Sequence, residues 1–123
     1  MVSKVSESFD PNGLLGGDFP RQARVVTLAS SAALVAGAVL GRITLGGKYL
    51  LSASGASDGS QTPTAVLAEA ADASGGDVQA LVYFSGAFAD SALSFGTGHT
   101  AASVETAWRA AQAPLFVVDR TAL

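Results

Sequence analysis

Residues 64–88 read TAVLAEAADASGGDVQALVYFSGAF, and this stretch sets the architecture expected of the chain. Residues 64–70 form a strand of small and apolar residues. Residues 72–77 turn the chain, with Gly75 and Gly76 supplying the positive φ that a tight reversal often requires. Residues 78–84 alternate: Val78, Ala80, Val82 and Phe84 share one face, opposite Gln79, Leu81 and Tyr83. Gly86 then marks a bulge or bend before Phe88. Almost nothing here is reactive, which points to backbone pairing and packing rather than chemistry.

The flanking sequence continues the pattern. Residues 24–29 (RVVTLA) are a strand. Residues 38–45 alternate, with Val39, Gly41, Ile43 and Leu45 on one face and Leu40, Arg42 and Thr44 on the other. Gly46-Gly47 makes a tight turn into residues 48–53, so these two runs predict a hairpin. Residues 55–63 are a loop of Gly, Ser, Asp and Pro. A helix is predicted over residues 103–112. Ser103 would be its N-cap, Glu105 suits its positive first turn, and Val104, Ala107, Trp108 and Ala111 form an apolar stripe. Pro114 ends the helix, and residues 115–118 close the fold as a short strand. Phe84, Phe88 and Trp108 are expected in the core. Short strands at regular spacing predict a mainly β domain with one or two short helices, built like a small barrel.

Residues 1–23 read as an extended N-terminal arm, and residues 24–123 as the β-rich domain. The arm holds the turn signal Asp10-Pro11-Asn12-Gly13, then Gly16-Gly17 and Pro20. Its apolar residues Phe9, Leu14, Leu15 and Phe19 follow no helical or strand period. An inert tail has little use for them, so Phe9, Pro11, Leu14, Leu15 and Phe19 are the candidate partner-binding residues.

Composition bounds the function. A chain of 123 residues is one domain with a tail. It has no Cys, so disulfides and thiolate metal sites are excluded. Seven basic against ten acidic residues argue against a nucleic-acid face, which needs clustered Lys and Arg. Only 14% of residues are charged, against ~25% in typical domains, as expected of a surface partly covered by a partner. The first twenty residues contain one Lys and no continuous apolar stretch, so no signal peptide is expected. The most apolar run, residues 32–40, is too short to span a membrane, which takes ~20 residues.

Motifs for catalysis fail on inspection. Gly96, Gly98 and Ala101 match the spacing of a dinucleotide loop, with Asp119 downstream, but too little chain follows for repeated strand–helix units. As a phosphate loop, residues 41–48 lack the first glycine, and Lys48 is not followed by the hydroxyl residue: Arg42 and Tyr49 stand there. His99, the one histidine, reads as an exposed loop imidazole, since no Gly-x-Ser-x-Gly elbow accompanies it. Lys48 reads as a solvated lysine at the hairpin tip. Asp58, Glu69, Asp72, Asp77, Asp90, Glu105 and Asp119 are scattered and fit turn caps and solvated faces. No catalytic, cofactor or metal site is expected.

One resemblance gathers these observations. The loop GASDG at residues 55–59, AVLAEAAD at 65–72, the strand at 78–84 followed by Ser85-Gly86-Ala87-Phe88, the helix at Trp108 and the closing strand at 115–118 occur in that order. In order and spacing the chain resembles the head-decoration protein D family of lambda-like tailed phages, over about residues 24–118. It departs from the family pattern at residues 32–45, which are richer in aliphatics, and throughout the arm. The resemblance implies a β-clip-type domain that forms a homotrimer and docks at local three-fold positions of an expanded icosahedral head. It implies an arm, mobile when free, that pairs with the major capsid protein, and a mechanical role against internal DNA pressure. The protein would be made in the host cytoplasm and end on the exterior of the virion. The competing readings are a non-viral surface or secreted β-domain, against which the absent signal peptide weighs, and a small carrier or enzyme domain using Lys48 or His99.

Overall fold

Residues 21–118 are described by the computed structural model. The elements run β1 Gln22–Leu28, β2 Ala33–Leu34, β3 Val39–Arg42, β4 Tyr49–Leu51, β5 Pro63–Leu67, β6 Ala71–Asp72, β7 Val78–Ala89, α1 Ala101–Ala110 and β8 Leu115–Val118. A single 3-10 turn, Asp90–Ala92, follows β7. Residues 1–20 of the arm and Asp119 lie outside the described residues, while Gln22 and Ala23, expected at the end of the arm, already belong to β1. No described helix is long and apolar enough to cross a membrane.

The larger sheet runs β1-β4-β3-β5-β7-β8, and β1 also pairs with β7. That second pairing closes β1, β4, β3, β5 and β7 into a barrel of five strands and leaves β8 as an added strand. The domain is therefore mainly β with one α-helix, as its sequence predicts. β1 and β7 form the longest antiparallel ladder, from Gln22 opposite Ser85 to Leu28 opposite Val78. β3 and β4 form the predicted hairpin, with Leu40 opposite Leu51 and Arg42 opposite Tyr49.

Strand alternation feeds two apolar clusters. Leu28, Leu40, Tyr49, Ala65, Leu67, Ala80 and Val82 meet inside the barrel, with Val78 and Phe84 packed against them. The predicted face Val78-Ala80-Val82-Phe84 is thus the one that lines the interior. The alternate residues Val39 and Val66 point outward and meet Phe88, Leu93, Val104, Trp108 and Leu115 beneath α1. β3 and β5 are covered on both faces, and this is why they read as nearly continuous apolar runs. Phe88 and Trp108 are fully buried, as expected.

Several boundaries differ from those expected, each for a local reason. β3 stops at Arg42 rather than Leu45, because the hairpin turn begins at Ile43, whose N–H donates to the Lys48 carbonyl. The strand at residues 64–70 is Pro63–Leu67, and residues 71–72 form a separate short strand with β2. β7 does not end at Phe84; it continues through Gly86, at φ 145°, to Ala89 and takes up β8 as a parallel partner. The helix starts at Ala101 because Thr100, not Ser103, is its N-cap. Thr100 accepts from the Ser103 N–H, and the Ser103 hydroxyl accepts from the Thr100 N–H, a reciprocal capping box. The helix ends at Ala110, ahead of Pro114, because Gln112 takes a positive φ of 54° and turns the chain.

Two glycines permit close packing of the loops. A Cβ on Gly41 would lie 2.0 Å from the Ser60 carbonyl oxygen, and one on Gly96 would lie 2.1 Å from that of Ser52. The 55–63 loop and the 93–98 segment can therefore lie directly on the barrel backbone.

Trp108→Ala removes the largest fully buried side chain beneath α1. Denaturant unfolding should show a loss of about 3–5 kcal/mol. A loss below about 1 kcal/mol would mean that the outer cluster contributes little to stability.

Candidate interaction surface

The side chains capable of chemistry are held in structural roles. His99 is half-buried rather than exposed: its Nε2 lies 2.9 Å from the Gln61 carbonyl oxygen and its Nδ1 lies 2.9 Å from Ser103 Oγ. Because a carbonyl only accepts, Nε2 carries the proton there. The imidazole pins the start of α1 to the 59–62 loop. The glycine loop before α1 is equally occupied. Gly96 sits on the Ser52 carbonyl, Ser54 donates its N–H to the Thr97 carbonyl, and the helix N-terminus is closed by its own capping box.

Lys48 is not at the hairpin tip but at its base, 2.5 Å from Asp77 Oδ2. Asp77 Oδ1 accepts from the Ser30 N–H at 2.8 Å. One carboxylate thus ties the start of β7 to the end of β1 and the approach to β4. The Lys48 hydrogen bond, then the Ser30 N–H, hold the Asp77 carboxyl below the usual carboxylate range. Asp58 and Asp72 are lowered in the same way, each first by a serine hydroxyl and then by a backbone N–H, from Ser60 and Ser74. These are turn-capping carboxylates, as their positions predict. Glu105 does more than suit the first turn of α1. It accepts from the Val117 N–H at 3.0 Å and pairs with Arg109 at 3.0 Å.

That last contact divides the two outer strands of the sheet. β8 pairs with β7 on one side, and α1 covers its other side. Glu105 takes up the Val117 N–H, the Arg109 guanidinium stacks 4.2 Å from the centre of the Phe116 ring, and Arg109 also donates to the Leu115 carbonyl. β1 has no such cover. It pairs with β7 along its whole length but meets β4 only at Leu28 and Tyr49. Over residues 22–27 its second edge has no strand among the described residues. Gln22, Ala23, Arg24 and Val25 are exposed.

β1 and β4 meet at one parallel pair, Leu28 and Tyr49, so the hairpin enters β4 beside the end of β1. Val25 at 62% and Leu45 at 87% exposure are two of the three large apolar side chains most open to solvent; Val35, beside β2, is the third. The Arg42 guanidinium lies against Gly47, Arg24 lies 5.6 Å from the centre of the Phe84 ring, and Lys48 is held by Asp77. A strand edge with an exposed Val25 beside it suits an extended protein segment, since backbone N–H and C=O groups recruit backbone and flanking residues select side chains.

The predicted binding residues Phe9, Pro11, Leu14, Leu15 and Phe19 lie outside the described residues, so none is placed against this edge. Sequence reasoning missed the edge itself. Its one signal is Val25, whose neighbours Ala23 and Thr27 offer little reason for a buried face on that side.

A family model described as bacteriophage lambda head decoration protein D matches residues 6–115. No curated protein matches the chain.

Acid should loosen the Asp77 tie. Because the folded carboxyl titrates below its ordinary value of 3.8, its stabilisation is complete above that value and is lost as pH falls through the folded one. Melting temperature should hold steady near neutrality and drop below about pH 4, and Asp77→Asn should flatten that drop. An unchanged acid limb in Asp77→Asn would remove this carboxylate from the stability balance.

Proposed function

This chain belongs to the bacteriophage lambda head decoration protein D family, and on that premise we propose that it mounts on the outside of a phage head and clamps it mechanically. The observation that carries this reading is the extent of the match, residues 6–115, which takes in most of the arm as well as the body. The protein is a homotrimer made in the host cytoplasm. It seats at local three-fold positions of the expanded shell and holds neighbouring capsomers together against the pressure of packaged DNA.

Its partner is the major capsid protein, reached through the arm, with Phe9, Pro11, Leu14, Leu15 and Phe19 as contact residues. Separated apolar residues between turn signals suit addition as an edge strand, in which backbone bonds give affinity and Phe9 or Phe19 fill pockets. Ordering such a segment costs about 2–5 kcal/mol. Three arms on one trimer offset that cost, because a tethered second contact raises avidity ~100-fold or more. The fold is consistent with a role that needs stiffness: β3 and β5 are covered on both faces and the polar side chains described above hold the loops.

The test is co-sedimentation of the purified protein with expanded and unexpanded heads of its own phage assembled without it. The expected result is saturable binding to expanded heads and little to unexpanded ones. Phe9→Ala combined with Phe19→Ala should weaken binding at least tenfold without changing the far-ultraviolet circular dichroism. Failure to bind either form of head would sink the reading.

A further inference from the structure

β2 and β6 form a two-stranded sheet apart from the barrel. Ala33, Leu34, Val35, Ala70, Ala71 and Asp72 line an open, mostly apolar groove of about 330 Å³ there, and Val35 is 61% exposed. The β3–β4 hairpin ends in Leu45, at 87% the most exposed large apolar side chain among the described residues. Leu45 is not part of the groove's lining, so the chain does not fill its own groove with it. We propose that Leu45 of one copy enters the 33–35/70–72 groove of the next, a head-to-tail contact between identical chains.

Three observations choose a second copy as the occupant. The first is shape. Gly46 and Gly47, at φ 95° and 75°, make the hairpin tip narrow, and a Cβ on Gly46 would meet nothing within 4 Å. A leucine on such a tip is a projecting knob, and the groove has room for its side chain. The second is charge. Asp72 lines the groove, Glu69 precedes its Ala70, and residues 32–36 and 69–72 contain no Lys or Arg. Glu69 is exposed and has no cationic partner among the described residues. At the tip the balance is reversed. The Arg42 guanidinium lies against Gly47 without a carboxylate partner among the described residues, and residues 42–48 contain no Asp or Glu. Tip against tip would oppose arginines, and groove against groove would oppose carboxylates. Tip into groove sets opposite charges together. The third is apolar surface. An exposed apolar groove with a charged rim marks a protein contact, and an exposed leucine on a loop tip is its counterpart. Both Val35 and Leu45 lie within residues 32–45, the aliphatic-rich stretch in which the chain departs from the pattern of its family.

Because the two surfaces differ, the contact repeats around a ring or along a filament. Closure at three copies rests on the homotrimer proposed above; the contact itself does not.

Cysteine pairing tests it, since the chain has no Cys of its own. Leu45→Cys, Val35→Cys and the double variant are oxidised in concentrated solution and on expanded heads, with far-ultraviolet circular dichroism to show that each is folded. The double variant should give covalent dimers and trimers, and each single variant only monomers, because tip meets groove and never its like. An equimolar mixture of the two single variants should give covalent dimers and nothing larger. Cross-linking within either single variant alone would overturn the proposal by joining like surfaces. A double variant that stays monomeric in both settings, or closes a disulfide only within one chain, would overturn it as well. Head binding is scored separately on the unaltered protein: binding without a tip–groove cross-link removes this contact and leaves the clamp, and cross-linking without binding does the reverse.

Discussion

Val39, Val66 and Tyr83 face away from the barrel while Leu40, Leu67 and Val82 face into it, and this double use of three adjacent strands holds the molecule together. A small barrel alone encloses little apolar volume. By covering the outer face of β3, β5 and β7 with α1, the chain obtains a second cluster around Trp108 and Phe88 without adding strands. The loops then have to lie close. Gly41 and Gly96 meet that need by letting backbone rest on backbone, and His99 fixes α1 against the 59–62 loop. The polar side chains that could have served chemistry are thereby used to hold the loops.

The same economy leaves one strand incompletely covered. α1 protects β8, and β5 and β4 protect β3. β1 touches β4 at a single residue pair, and along residues 22–27 its second edge has no strand beside it among the described residues. Val25 on that strand is one of the large apolar side chains left open to solvent.

Much of the fold was legible in the sequence where one period dominates. Residues 78–84 alternate cleanly, and their apolar face does line the interior. The β3–β4 hairpin followed from Gly46 and Gly47. Trp108 and Val104 fell on one side of a helix, and both are buried. What was not legible depends on long-range contacts. Continuation of β7 through Gly86 requires β8, which is distant in sequence. The N-cap moved to Thr100 because two hydroxyl residues three positions apart cap reciprocally, and only the backbone decides which comes first. His99 looked exposed because its partner Gln61 lies in another loop. The exposure of β1 was hidden for the same reason: which strands lie beside it is decided by residues distant in sequence. The family, by contrast, was readable from the order of its segments.

The central claim is that this protein works by sitting on a shell. A single electron-microscopy reconstruction of the intact phage head tests it most directly. The account predicts density matching the closed barrel and its flanking helix on the outer surface, three copies around each occupied local three-fold position, with residues 1–20 reaching the major capsid protein. A fully packaged head that carries no copy of the chain on its exterior would contradict it.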